Sequence, residues 1–238
     1  MENDRFLHLI PQKVLETVQK LRIRIHQRFP DSGLAGVCEE LETVCSRSTD
    51  RIEWIARPIW PLRILRYGLL TVVAAGMATM MLSLRPGQFG EELTFAEWIQ
   101  TLEAGLNDLV MIGIAVFFVW TLESRVKRRR ALSALHELRS IAHVIDMHQL
   151  TKDPDRAIGN RFDTESSPKV NLNAYDLRRY LDYCSEMLSL TSKVAALHLQ
   201  TLDDPTVVAT VNEIEDLTTG LSRKIWQKID IVRGLDEG

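Results

Sequence analysis

Two apolar runs separated by a short acidic segment restrict what this chain can become more than any other feature. The first, residues 67–84, reads YGLLTVVAAGMATMMLSL and carries no charge over 18 residues. A helix rises about 1.5 Å per residue and the hydrocarbon layer of a bilayer is about 30 Å thick, so this run is close to a full crossing. The second, residues 109–122, reads LVMIGIAVFFVWTL and is uncharged for 14 residues. Alone it has the length of a buried soluble helix. Its flanks favour a crossing. AGLND precedes it and can carry the helix to the outer interface, and Lys127, Arg128, Arg129 and Arg130 follow it as a stop-transfer cluster. The sequence therefore predicts a transmembrane helical hairpin, with spans over about 67–84 and 106–122 and a short outer loop, 85–105. The alternative is a wholly soluble bundle with both runs in its core. A soluble surface helix keeps one polar face, which the first run lacks.

The charges at the ends of the runs set an orientation. Arg57, Arg63 and Arg66 precede the first, and Arg125 and Lys127 to Arg130 follow the second. The connecting loop has Arg85 against Glu91, Glu92, Glu97 and Glu103. Lys and Arg collect on the cytoplasmic side, so both termini are expected inside, at a plasma or bacterial inner membrane. Trp60, Tyr67 and Trp120 fall at the inner interface and Phe95 and Trp98 near the outer one, as aromatic belts require. The first residues lack a basic start, apolar core and cleavage site, so the first span is expected to act as its own insertion signal.

The remaining residues read as helices, giving an all-α integral membrane protein. Its predicted parts are an N-terminal helical hairpin, 1–58, the membrane hairpin, 59–125, and a C-terminal helical region, 126–238, which joins residues 1–58 in one cytoplasmic bundle. Pro11 can begin the first helix, and Leu7, Val14, Val18, Leu21 and Ile25 form its apolar stripe. FPDSG, residues 29–33, breaks it. A second stripe runs through Leu34, Val37, Leu41, Val44, Ile52 and Ile55. Pro58 and Pro61 interrupt the entry to the membrane. Thr94 and Glu97 match a capping box, so a helix is expected to start there and run through the second span to residue 150. Residues 151–170 are a long polar loop.

The helix after that loop carries two adjacent stripes. One is Leu177, Leu181, Cys184, Leu188 and Ala195; the other is Tyr180, Tyr183, Met187, Leu190, Val194 and Leu197. Its wide apolar arc places it at the centre of a bundle. Asp204-Pro205 caps the last helix, whose stripe is Val207, Val211, Ile214, Leu217, Leu221, Ile225, Ile229 and Val232. Gly220 lies inside it as a point of close packing, and GLDEG is read as a polar tail. Cys38, Cys45 and Cys184 form no CxxC pair and read as buried apolar residues.

Candidate site residues are few. His136, Arg139, His143 and Asp146 follow one another at steps of three and four and share a helix face, with His148 turned away. Two histidines seven residues apart are too far along the helix to clasp one ion as an i,i+4 pair does, and no metal site is expected. Histidines there could instead serve a pH-dependent switch. Arg130 and His136 have an Arg-x5-His spacing, which resembles the short motif of HEPN ribonucleases and implies RNA cleavage. Only these two residues carry the resemblance, and topogenic charge already accounts for Arg130. The simplest reading is a polar seam inside the bundle, with Asp146 paired to His143 or Arg139. Asp108, at the edge of the second run, is either exposed at the interface or faces a bundle interior, as a pore would require. Ala74 and Ala78 form a small-xxx-small pair that permits close helix approach, within one chain or between copies.

No phosphate loop, nucleophile elbow or pair of catalytic carboxylates appears. From residue 131 onward acidic residues outnumber basic ones, 17 to 12, which argues against a nucleic-acid partner. The expected function is therefore non-enzymatic: an oligomerising two-span membrane protein, acting as a scaffold, signalling component or pore-forming effector. No cofactor is expected. The expected partners are the bilayer, further copies of the chain and a cytoplasmic protein. The alternative is a membrane-tethered enzyme or metal-binding protein using the His136–Asp146 face.

Overall fold

A computed structural model describes residues 8–57, 59–83, 95–152, 154 and 172–236, and among them every regular element is helical. The helices are α1 (Pro11–Arg28), α2 (Gly33–Ala56), α3 (Trp60–Ser83), α4 (Phe95–Leu150), α5 (Ala174–Leu197) and α6 (Pro205–Asp236), with a 3-10 turn at His198–Gln200 after α5. The chain divides into two compact units, residues 1–56 with 128–238, and residues 57–127.

The first unit is a helical bundle. Local chemistry fixes its helix ends. Pro11 occupies the first turn of α1, where its missing N–H costs nothing. The Ser32 hydroxyl accepts from the Ala35 N–H (3.3 Å) ahead of α2. The Asn173 side chain accepts from the Asp176 N–H (2.7 Å) and caps α5. Asp204 accepts from the N–H groups of Thr206 (3.0 Å) and Val207 (3.4 Å) and caps α6, with Pro205 at its first position.

Packing centres on α5, which lies against α6, α1 and α2. Both of its apolar stripes are buried, as are the described stripe residues of α1 and α2 and all of the α6 stripe except Leu217. Residues 128–150 of α4 bury Ala131, Leu135, Leu138, Ile141, Ala142 and Ile145 in the same core. Polar ties hold that segment to α6. Arg128 donates to Asp204 (2.6 Å), Arg139 pairs with Glu213 (3.1 Å), and Lys228 Nζ donates to the Gln149 (2.8 Å) and Lys152 (3.3 Å) carbonyls. The Lys228 contact puts a cation against the negative end of the α4 dipole. One copy of the bundle thus covers its own stripes.

Four details differ from the sequence reading. Leu217 is half-buried, because it sits at the margin of the core. A Cβ on Gly220 would meet nothing within 4 Å, so that glycine marks no close approach. The expected polar tail is helical through Asp236, since Val232 is still buried and extends the stripe. His198 is buried in the 3-10 turn, which no periodicity announced. Leu7, the side chain of Ile55, Thr94 of the capping box and most of the 151–170 loop lie outside what the structure describes.

The close approach falls instead at Gly33. A Cβ there would press on His148 Cε1 far inside contact distance and reach its Nδ1 at 3.1 Å. Burial, then the Lys152 charge, hold the His148 imidazole below its ordinary pKa. Gly33→Ala is expected to cost about 1–3 kcal/mol by overpacking. The cost should largely vanish when His148 is also replaced by Ala, giving a strongly non-additive double-mutant cycle in denaturant unfolding. Additive costs would show that the two residues do not meet.

Candidate functional site

The His136–Asp146 face belongs to the bundle unit. It is not a buried seam. His136, Arg139 and His143 are exposed and only Asp146 is half-buried. The expected pairing within the face also differs. Arg139 reaches across to Glu213 of α6, and the Asp146 carboxylate accepts from Gln149 Nε2 (2.6 Å). The physical reason is the core stripe of α4. Ala134, Leu138, Ile141, Ala142 and Ile145 point inward, and the polar face is left on the opposite side. Arg130, the other residue of the Arg-x5-His spacing, stacks its guanidinium over the Trp54 ring, 3.4 Å from the centroid. An arginine packed on an indole is held by that contact and is not assembled with His136.

Nothing in the bundle supplies a reactive thiol. Burial pushes the thiols of Cys38 up to about 12 and Cys45 up to about 11, with Glu42 adding to both. Burial likewise raises Cys184 to about 12. Thiols held this high are poor nucleophiles and ligands. Among the described residues no group of three or more His, Cys, Asp or Glu is placed to hold a metal ion.

The second unit has a different character. No described side chain of α3 is buried, and none between residues 105 and 130 of α4 is buried. Large apolar side chains are in the open: Ile64, Leu70 and Val72 on α3, and Leu109, Ile114, Phe117 and Phe118 on α4. Among the described residues one helical stretch, within Gly105–Leu150, is long and apolar enough to cross a membrane, rather than the two expected. Ala74 and Ala78 are exposed on α3, and Asp108 is exposed on α4.

At the end of this unit that carries residues 57 and 127, side chains tie the two helices together. Glu123 is the hub. Lys127 pairs with it at 3.1 Å and Arg63 at 3.7 Å, and the Ile59 N–H lies 3.5 Å from the same carboxylate. Beside it the Arg66 guanidinium lies over the rings of Tyr67 (4.9 Å) and Trp120 (4.8 Å). The sequence pattern places Arg63, Arg66, Tyr67, Trp120 and Lys127 at the inner end of the spans but singles out neither Glu123 nor the contacts among them. Glu123 and Lys127, four apart on one helix, were the visible half of the signal. Arg63 and Arg66 required the register of α3 on α4.

No protein-family model, curated protein or solved structure matches this chain.

Proposed function

We propose that the protein is a non-enzymatic, two-span membrane protein that holds a helical bundle at the cytoplasmic face and assembles into a homo-oligomeric scaffold. One observation carries the reading. The bundle helices bury their apolar stripes in the usual way, while α3 and residues 105–122 of α4 leave theirs open. Exposed apolar surface on that scale needs a non-aqueous partner. A bilayer fits it, because α3 and the 105–122 stretch of α4 are each close to the length of the hydrocarbon and the basic residues gather at one end.

Assembly is placed at α3. Spans associate through close packing, and small residues permit it. Ala74 and Ala78 lie one turn apart with no covering neighbour. The exposed setting of His136, Arg139 and His143 favours a surface that meets other molecules over an enclosed site for chemistry.

Two measurements test the reading. Reporter fusions at residue 1, within 87–92 and at residue 238 should place only the middle one outside. An external signal from either terminus would refute the orientation. Cysteines introduced as Ala74→Cys or Ala78→Cys should crosslink between copies in membranes, and Ile114→Cys should not. The unsubstituted protein, whose thiols are all buried, is the background control. Crosslinks at Ile114 alone would place α4 at the centre and favour a pore near Asp108.

A further inference from the structure

We propose that the basic end of the α3–α4 pair is a binding site for the headgroups of anionic phospholipids. The inference rests on the membrane reading above and adds the chemistry of the lipid that the protein selects. The cations in residues 57–66 and 123–127 are Arg57, Arg63, Arg66, Arg125 and Lys127, and the single carboxylate is Glu123. That carboxylate is spoken for at short range by Lys127, at 3.1 Å, while Arg63 stands off at 3.7 Å. Arg57 and Arg125 are exposed and make no ion pair with any described residue. The Glu123 contacts with Ile59 and Arg63 bring the two helices together here, so Arg57, two residues before Ile59, and Arg125, two residues after Glu123 and turned to the other side of α4, lie at one level of the helix pair. Positive charge is therefore concentrated and largely uncompensated within the unit itself.

The depth of this region is marked by Arg66. Its guanidinium lies over Tyr67 and Trp120, within a turn of the open apolar side chains of Ile64 on α3 and Phe117 on α4. Aromatic rings and long cationic side chains occupy that level because each has an apolar body and a polar tip. Arg66 itself is engaged there, since its Nη2 donates to the Tyr67 hydroxyl (3.1 Å), so the exposed guanidinium groups of Arg57, Arg63 and Arg125 supply the N–H edges that match phosphate oxygens. Phosphatidylcholine headgroups carry a compensating cation, whereas phosphatidylglycerol presents net negative charge. The excess positive charge discriminates between them. Each basic residue close to an anionic lipid surface strengthens binding by roughly fivefold.

The test uses the full chain in a non-ionic detergent, titrated with phosphatidylglycerol, phosphatidylcholine or inorganic phosphate, with the thermal unfolding midpoint as readout. Phosphatidylglycerol should raise the midpoint by several degrees, and about 0.5 M NaCl should weaken the response, as screening requires. The combined Arg57→Gln, Arg63→Gln and Arg125→Gln variant should need roughly a hundredfold more phosphatidylglycerol for the same shift. The corresponding Arg→Lys variant should keep most of the response. Equal shifts with phosphatidylcholine, or an unchanged response in the Gln variant, would overturn the proposal. So would a response that 0.5 M NaCl leaves intact, which needs no variant. An equal shift with inorganic phosphate would identify a free-anion site and also overturn it. Extraction by alkaline carbonate separates the two levels. A protein released from membranes ends both readings, and an integral protein indifferent to headgroup ends this one alone.

Discussion

Leu188→Ala is expected to remove about 2–5 kcal/mol of unfolding free energy from the bundle. Leu188 has no exposed surface and sits on α5, the helix that packs on α6, α1 and α2. Truncation loses the transfer free energy of the deleted methyl groups and leaves a cavity that three packed helices cannot collapse around. For a chain of this size each kcal/mol lowers the melting midpoint by about 2–4 °C, so the shift should be large and easily measured. Leu217→Ala is the internal comparison. Leu217 is half-buried at the core margin, and its truncation should cost clearly less. Chemical unfolding of the two variants side by side is decisive. An unchanged Leu188→Ala, or the reverse order, would mean that α5 presents a different face to the core.

The comparison between those two leucines also shows what was legible in the sequence. Periodicity placed both on an apolar stripe, and the α5 stripe is buried in full because that helix has neighbours on several sides. On α6 the same periodicity overstated burial at Leu217, since a stripe says which face turns inward and not how far the partner helices extend. Gly220 failed for a related reason. A glycine inside a helix signals close approach only if another backbone arrives there, and none does. The real close approach, Gly33 beneath His148, joins residues far apart in sequence and left no local mark.

The candidate polar face was legible as a face but not in its surroundings. His136, Arg139, His143 and Asp146 share one side of α4, as their spacing requires, yet which side turns inward was decided by the stronger run of Leu135, Leu138, Ala142 and Ile145. Arg139 then found Glu213, an acid that no pattern within α4 could have named. The Arg128–Asp204 contact follows the same logic. Burial alone would raise the Asp204 carboxyl, but the Arg128 hydrogen bond and the backbone N–H groups of Thr206 and Val207 hold it below the usual range. Asp204 was readable as a helix cap, and its second role, anchoring α4, was not.

Ile114→Arg carries the other large expected effect, and it bears on where the protein lives. Ile114 is 60% exposed and lies midway along the 106–122 run. In water such a substitution on an open helix face is nearly neutral, within about 0.5 kcal/mol, and arginine is the better helix former. In the middle of a bilayer the change from isoleucine to arginine costs about 3–4 kcal/mol of insertion free energy, a loss of roughly a hundredfold or more in the inserted fraction. Ile23 supplies the matched control. It is 48% exposed, on α1 of the bundle, where Ile23→Arg should change nothing. Residual protein in carbonate-washed membranes should therefore fall sharply for Ile114→Arg and hold for Ile23→Arg. If the two variants behave alike and both remain at the level of the unsubstituted protein, the open apolar face of α4 does not meet lipid, and some other apolar partner must cover it.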